Sequence, residues 1–183
     1  KIVRQAIEQA DSDKNLQGLL FHYIHFYGSY STIAKSRRWY RNEVRVVRRS
    51  SGIQSHGDAQ GFRVSGEKPR VLRTAARIFH YGWVKPPKMM GQKSKLLNRW
   101  WHGNKRDHEF ENFEYARQYG LHEYQGSHPA VMKSLIQAQD WTFSPHRHWT
   151  DWTLKDVNLW ASDLLEKITG WRIGEYKPYR LVK

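Results

Sequence analysis

An uninterrupted run of apolar and aromatic residues, Gly18 to Tyr27, constrains the fold of this 183-residue chain more than any other segment. Successive side chains of a strand point to opposite faces, and here both faces carry apolar residues. Such a strand is expected to be buried on both sides. His22 and His25 interrupt the run three positions apart, so they lie on opposite faces and cannot share a metal within one strand. We interpret both as structural residues.

Two further strands are expected beside this one, at residues 41–49 and 70–81. Residues 1–10 have the apolar spacing of a helix, which the polar cluster at 11–15 ends. A sheet of three strands this apolar needs more strands next to it. We therefore expect a mixed α/β fold, and we interpret the chain as starting inside a larger domain.

The consecutive prolines Pro86 and Pro87 mark the predicted domain boundary, because proline cannot donate to a sheet and restricts the residue before it. Beyond them, the periodicity predicts helices at residues 93–101, at 107–119, from Ser127 onward and from Thr153 onward. We accordingly divide the chain into residues 1–85, a partial sheet domain, and residues 86–183, a helical C-terminal region.

The last of these helices has the clearest signals in the sequence. Thr153 is a typical N-cap residue, and Gly170 stands where a helix of this length commonly ends. Between them runs a predicted apolar stripe of Leu154, Val157, Trp160, Ala161, Leu164, Leu165 and Ile168.

Charge is distributed unevenly along the chain. Residues 1–106 contain 22 Lys and Arg against 6 Asp and Glu, a net of +16, whereas residues 107–183 contain 9 against 11, a net of −2. An anionic partner is expected for the first part: nucleic acid, a phosphorylated small molecule or an anionic membrane surface. The chain has no cysteine, which excludes thiolate metal sites, and no run of about 18 apolar residues that would span a bilayer.

Two short polar segments carry the candidate chemistry. His80 comes at the end of a predicted strand, before the turn at Gly82, where an imidazole either binds a divalent metal or bonds to the backbone of the core. Asp58 lies in a glycine-flanked loop beside His56 and Gln60, where it is either a general base toward a hydroxyl or a turn residue capping its own backbone.

The arginines and the tryptophans can each be interpreted either as ligand-binding residues or as structural ones. Arg45 and its neighbouring arginines suit a diphosphate, since the guanidinium fork matches phosphate oxygens, or they form a solvated strand edge. His146 and His148 alternate, but we expect no carboxylate or cysteine to lie beside them, so a metal site there is not expected. The tryptophans either stack on sugars or bases or pack between helices.

The order of several segments resembles the C-terminal half of bacterial family-two glycosyltransferases. These segments are residues 17–30, residues 38–48, Gly57-Asp58-Ala59-Gln60-Gly61-Phe62-Arg63 and His80-Tyr81-Gly82-Trp83. Residues 127–132 and 169–176 are similar to the tail of the same branch. The resemblance by motif covers about residues 1–90.

The resemblance implies a GT-A type fold and inverting, metal-dependent transfer of a sugar from a nucleotide diphosphate to a hydroxyl acceptor, either a glycan or a lipid-linked molecule. It implies that His80 completes a site for Mn²⁺ or Mg²⁺ and that Asp58 deprotonates the acceptor. We assign substrate binding to Arg45, His56, Gln60, Trp83 and Lys85. The family's nucleotide-binding strands and Asp-x-Asp motif would precede Lys1, so these 183 residues alone are expected to be inactive.

The same resemblance implies a role in bacterial cell-envelope polysaccharide synthesis, in the cytoplasm, with peripheral contact to the inner face of the membrane left open. Two alternatives also remain open. A non-catalytic nucleic-acid-binding module would explain the basic block and its interleaved aromatics. A membrane-surface adaptor would use the same positive charge on anionic lipid.

Overall fold

The computed structural model describes residues 1–57, 61–103, 110–146 and 148–182. The helices are α1 (Ile2–Ser12), α2 (Pro87–His102), α3 (Lys133–Gln137) and α4 (Leu154–Thr169). The strands are β1 (Gly18–Tyr27), β2 (Thr32–Ala34), β3 (Asn42–Val47), β4 (Ile53–His56), β5 (Gly61–Val64), β6 (Arg70–Trp83), β7 (Leu121–Glu123) and β8 (Arg180–Val182). The expectation of a mixed α/β fold is confirmed.

Within these ranges the main sheet has the strand order β7-β2-β1-β6-β8, and β3 also pairs with β1. The β1–β2, β1–β3 and β2–β7 pairs are antiparallel, whereas β6 and β8 are parallel. The sheet is therefore mixed. Strands β4 and β5 form a separate antiparallel hairpin.

The chain divides into two compact units. The first contains Lys1–Ile24, Tyr40–Ile78 and Arg172–Lys183, and the second contains His25–Trp39 and Phe79–Trp171. The boundary predicted between residues 85 and 86 stays a prediction. Nothing in the described part of the chain is a helix both long and apolar enough to cross a membrane.

In the first unit, β1 is covered on both faces. Leu19 and Phe21 pack with Ala6 and Ala10 of α1, while the intervening Leu20 belongs to a second core cluster. That second cluster contains Leu20, Val44, Val71 and Tyr179. Each face of β1 therefore packs against its own core, which explains why apolar and polar residues do not alternate along it. The predicted burial of both faces is confirmed.

In the second unit, Phe26 is fully buried at the centre of an aromatic cluster. Its ring stacks on Tyr81 at 4.6 Å and meets Tyr124 and His128 at 4.9 and 5.0 Å. The Tyr81 hydroxyl is hydrogen-bonded to His128 Nδ1 at 2.8 Å. These contacts fix the ends of β1 and β6, from which the candidate site is built.

The predicted helix at 107–119 is wrong for its described part, because residues 110–119 contain no α-helix. Tertiary contacts replace the helical hydrogen bonds there. The Tyr115 hydroxyl donates to Lys85 O and accepts from Lys85 N, and the Tyr119 amide donates to Asp156 Oδ1. An extended backbone allows these side chains to reach separate neighbours.

Helix α4 has the predicted ends: Thr153 forms a capping box with Asp156, and Gly170 adopts a left-handed conformation with φ 71°. Its predicted apolar stripe, however, is largely exposed. Leu154 is 86% and Ile168 74% exposed, whereas Asp156 is buried. The segment from Ser127 also becomes helical as predicted, through a 3-10 turn at Ala130–Met132 that leads into α3.

Candidate functional site

A pair of imidazoles lies where β1 and β6 approach their carboxyl ends. Nδ1 of His25 and Nδ1 of His80 are 3.1 Å apart, and the ring planes are 77° from parallel. His25 is 3% exposed and His80 is half-buried. One nitrogen must carry a hydrogen and the other a lone pair for this contact to be a hydrogen bond, so each ring sets the tautomer of the other.

The local backbone explains the position of His80. A Cβ on Gly82 would lie 2.6 Å from His80 Nε2, so only glycine leaves room for the ring in this orientation. The Gly28 amide donates to Trp83 O at 3.0 Å, which holds the two chain segments together just beyond the histidines. The glycines at 28 and 82 therefore contribute to the geometry of the pair.

Three aromatic rings border the histidine pair. The Trp39 ring centroid is 5.2 Å from that of His25, and Tyr27 lies 5.9 Å from Trp39. Trp83 meets Trp39 edge to face at 6.2 Å. Half-buried indole rings beside polar groups are suited to stacking against a planar base or an apolar sugar face.

Two lysines supply positive charge at this strand end. Lys93 of α2 donates to Gly82 O, and its ammonium lies 5.4 Å from the centroid of Trp83. Burial lowers the pKa of Lys93, and the charge of Lys85 lowers it further. The backbone of Lys85 is fixed by the Tyr115 hydroxyl, whose pKa burial raises to about 12. The site can therefore attract an anion.

The histidine pair fits part of a divalent metal site. Two nitrogens bound to one zinc-sized cation at about 2.0–2.1 Å are about 3.3 Å apart. The 3.1 Å separation of the two Nδ1 atoms is close to that value. Across the described ranges, no group of three or more His, Cys, Asp or Glu side chains could hold a metal. With both Nδ1 atoms deprotonated, the pair could supply two ligands, and others would have to come from a bound molecule or another segment.

Arg45, the predicted diphosphate ligand, lies in the first unit within a polar cluster of its own. Its guanidinium donates to Tyr23 Oη and to the buried carboxylate of Glu43. Burial raises the pKa of the neighbouring Tyr40 to about 12, with the charge of Glu43 adding to the rise. These contacts hold Arg45 in place, and its role toward a ligand stays a prediction.

The predicted acidic loop joins β4 to β5. His56 is the last residue of β4, where it is exposed and pairs with Gly61 of β5. Asp58 and Gln60 lie outside the described residues. The roles predicted for Asp58 and Gln60 therefore stay predictions.

No family model, curated protein or solved structure matches the chain.

Three residues of this site, His25, Trp39 and Lys93, and the ion pair of His146 were not predicted from the sequence. His25 had been assigned a structural role because His22 cannot share a metal with it, but its partner comes from β6. Trp39 comes from the turn after β2 and carried no sequence signal. His146 does lie beside a carboxylate, because the Glu123 side chain of β7 is 3.1 Å from its Nε2.

Proposed function

We propose that this chain forms the acceptor-side and diphosphate-closing part of a GT-A type glycosyltransferase, which transfers a sugar from a nucleotide diphosphate to a hydroxyl. The observation that supports it most is the pair of His25 and His80, bordered by Trp39 and Trp83 and accompanied by Lys93. Convergent imidazoles, stacking rings and a cation are the groups that bind a metal-complexed nucleotide.

Each group of this site has a role toward the donor. His80 and His25 would hold Mn²⁺ or Mg²⁺, which when bound neutralises the charge of the leaving diphosphate. Lys85 and Lys93 attract the same anion, and Arg45 is the candidate for further phosphate contact. Trp83 and Trp39 orient a base or sugar by stacking.

Asp58 is the proposed general base. Its carboxylate takes the proton of the acceptor hydroxyl while that oxygen bonds to the anomeric carbon. The bond from this carbon to the diphosphate oxygen breaks on the opposite side, so the configuration inverts and the diphosphate leaves with the electron pair. General-base catalysis of this kind contributes roughly 10²–10⁴-fold to rate.

The test uses the full-length gene product, including any residues encoded before Lys1. It compares how the parent and its variants bind UDP- and GDP-sugars with and without Mn²⁺. We expect His80→Ala to weaken metal-dependent donor binding by about 10–100-fold, as measured by calorimetry. His146→Ala, which alters a histidine paired with Glu123, is the matched control. Donor binding whose metal dependence is the same in His80→Ala would overturn the ligand assignment.

Asp58→Asn separates chemistry from binding. We expect turnover to fall by at least about 100-fold while donor affinity stays near that of the parent, because the amide cannot accept the proton. Unchanged turnover removes Asp58 from the role. If no nucleotide sugar binds and RNA is retained in a salt-dependent manner, the chain is instead a nucleic-acid-binding module.

A further inference from the structure

Helix α2 exposes an apolar ridge. Met89, Leu96 and Trp100 are 52%, 50% and 72% exposed. At about 100° per residue, their spacing places all three within about 40° of arc on the helix surface. Trp101, about 100° further around the helix than Trp100, is 71% exposed. Four large apolar side chains on one helix thus face solvent rather than the core.

A row of positive charge runs beside this ridge. Lys88, Lys95 and Arg99 lie about 80–120° to one side of it around the helix. Helix α2 contains four Lys and Arg and no Asp or Glu. Residues 68–106 as a whole contain eleven Lys and Arg and again no Asp or Glu. An anionic surface would therefore meet no repulsion from this segment.

Other positions of α2 are fixed to its own unit. Met90 is fully buried, and a Cβ on Gly91 would lie 2.6 Å from Phe110 O. Lys93 donates to Gly82 O beside the histidine pair. The ridge is consequently held outward by a packed helix, which lowers the conformational cost of docking.

Helix α4 provides an internal contrast. It also exposes apolar side chains, among them Leu154, Trp160 and Ile168. However, it carries Asp156, Asp163 and Glu166 against Lys155 and Lys167, a net of 2 − 3 = −1. Of these two helices, α2 combines exposed apolar residues with charge of a single positive sign, and α4 does not.

We propose that α2 docks on the surface of a bilayer that contains anionic phospholipid, with its axis in the plane of the interface. Met89, Leu96 and Trp100 insert between headgroups, and Lys88, Lys95 and Arg99 contact lipid phosphates. Tryptophan favours this depth of a membrane, and basic amphipathic helices bind it in this orientation. Met89 and Leu96 gain little from nucleic acid, which favours lipid as the partner. The proposal is independent of the glycosyltransferase assignment.

The test is co-flotation with vesicles of phosphatidylcholine alone or mixed with phosphatidylglycerol, at low and high salt. We expect binding to the mixed vesicles, reduced by salt, and little binding to phosphatidylcholine. Trp100→Ala should weaken partitioning by roughly tenfold, since it removes a large apolar ring that would be buried in the bilayer. Lys88→Gln with Arg99→Gln should weaken it by roughly 25-fold, about fivefold for each charge.

Matched controls come from α4. Trp160→Ala and the double variant Lys155→Gln, Lys167→Gln should float like the parent, because they remove one Trp and two positive charges from a helix without the basic row. Circular dichroism and thermal denaturation check that the variants are folded. Equal binding to both vesicle types, or equal losses from the α2 and α4 variants, overturns the proposal. Failure to float together with salt-dependent retention of RNA overturns it in favour of nucleic acid.

Discussion

At the scale of single residues, the contact between His25 and His80 requires a defined proton arrangement. Both contacting atoms are Nδ1, so one ring is protonated there and the other is not. His80 is also confined on its far side, where Nε2 lies against Gly82. The two constraints together define the orientation of the His80 ring.

Gly82→Ala should displace the His80 ring while leaving the fold intact. The new Cβ would lie 2.6 Å from Nε2, and the ring is the group that can rotate away. We expect the imidazole NMR signals of both His25 and His80 to shift as their contact is lost. Gly61→Ala is the control, because a Cβ there meets His56 O and Pro178 at an ordinary 3.6 Å. Unchanged histidine signals in Gly82→Ala would contradict the packing described.

Acidification should destabilise the chain through its partly buried histidines. Burial lowers the pKa of His128, and burial followed by the charges of Arg41, Arg77 and Arg73 lowers the pKa of His22. A histidine whose folded pKa is lowered stays neutral while the unfolded chain takes up a proton near pH 6.5. Stability is therefore present above about pH 6.5 and lost as the pH falls below it.

Thermal unfolding of the parent and of His128→Asn between about pH 7.5 and pH 5.5 measures this effect. The asparagine can retain a hydrogen bond to the Tyr81 hydroxyl but does not titrate. We expect its Tm to fall less on acidification than that of the parent. His102→Asn, at an exposed position, should behave like the parent. If the Tm of the parent rose on acidification, the predicted direction of the change in stability with pH would be wrong.

At the scale of elements, α4 depends on its first turn. The Thr153 hydroxyl donates to Asp156 Oδ2 and accepts from the Asp156 amide, and Asp156 also accepts from the Tyr119 amide. Thr153→Ala should therefore lower the free energy of unfolding by about 1 kcal/mol, within a range of roughly 0.5–2 kcal/mol. Urea denaturation gives this value.

Thr153→Ser keeps the capping hydroxyl and is the control for Thr153→Ala. We expect its free energy of unfolding to stay within a few tenths of a kcal/mol of the parent. Equal losses in the two variants would show that the methyl group, rather than the cap, stabilises this end of α4.

The elements also show what a sequence can reveal. Strand β1 was predictable because burial on both faces leaves a continuous apolar run in the sequence. The ends of α4 were predictable because capping residues act on the adjacent turn and can be identified locally. Strands β2 and β7 were not, since three residues each carry too little periodicity. The stripe of α4 predicted burial, but Leu154 is exposed, since an apolar face is buried only where a partner covers it.

The candidate site was partly predictable for the same reason. His80, Trp83 and Lys85 follow one another closely in the chain, so a local pattern identified them. His25 was missed because its partner belongs to another strand, and the pairing of β1 with β6 has no local signal. The sequence placed Lys93 in a helix but did not assign it to the site, because its contact with Gly82 O is tertiary.

At the scale of the whole molecule, a net charge of +14 on 183 residues is expected to reduce stability by self-repulsion. In the first unit, burial lowers the pKa of His22, and the charges of Arg41, Arg77 and Arg73 lower it further. Salt shortens the reach of such repulsion, from about 30 Å at 0.01 M to about 8 Å at 0.15 M. The stability of this chain should consequently increase with ionic strength.

Thermal unfolding at increasing sodium chloride tests this expectation, with a Tm rise of roughly 2–4 °C for each kcal/mol of repulsion removed. Screening acts on all exposed charges, so sodium chloride and sodium perchlorate at equal ionic strength should give similar initial rises. A much larger rise with inorganic pyrophosphate at low concentration would instead indicate a bound anion, which stabilises by mass action. A Tm that falls with sodium chloride would contradict the argument, because it would mean that attractive ion pairs outweigh repulsion among the Lys and Arg side chains.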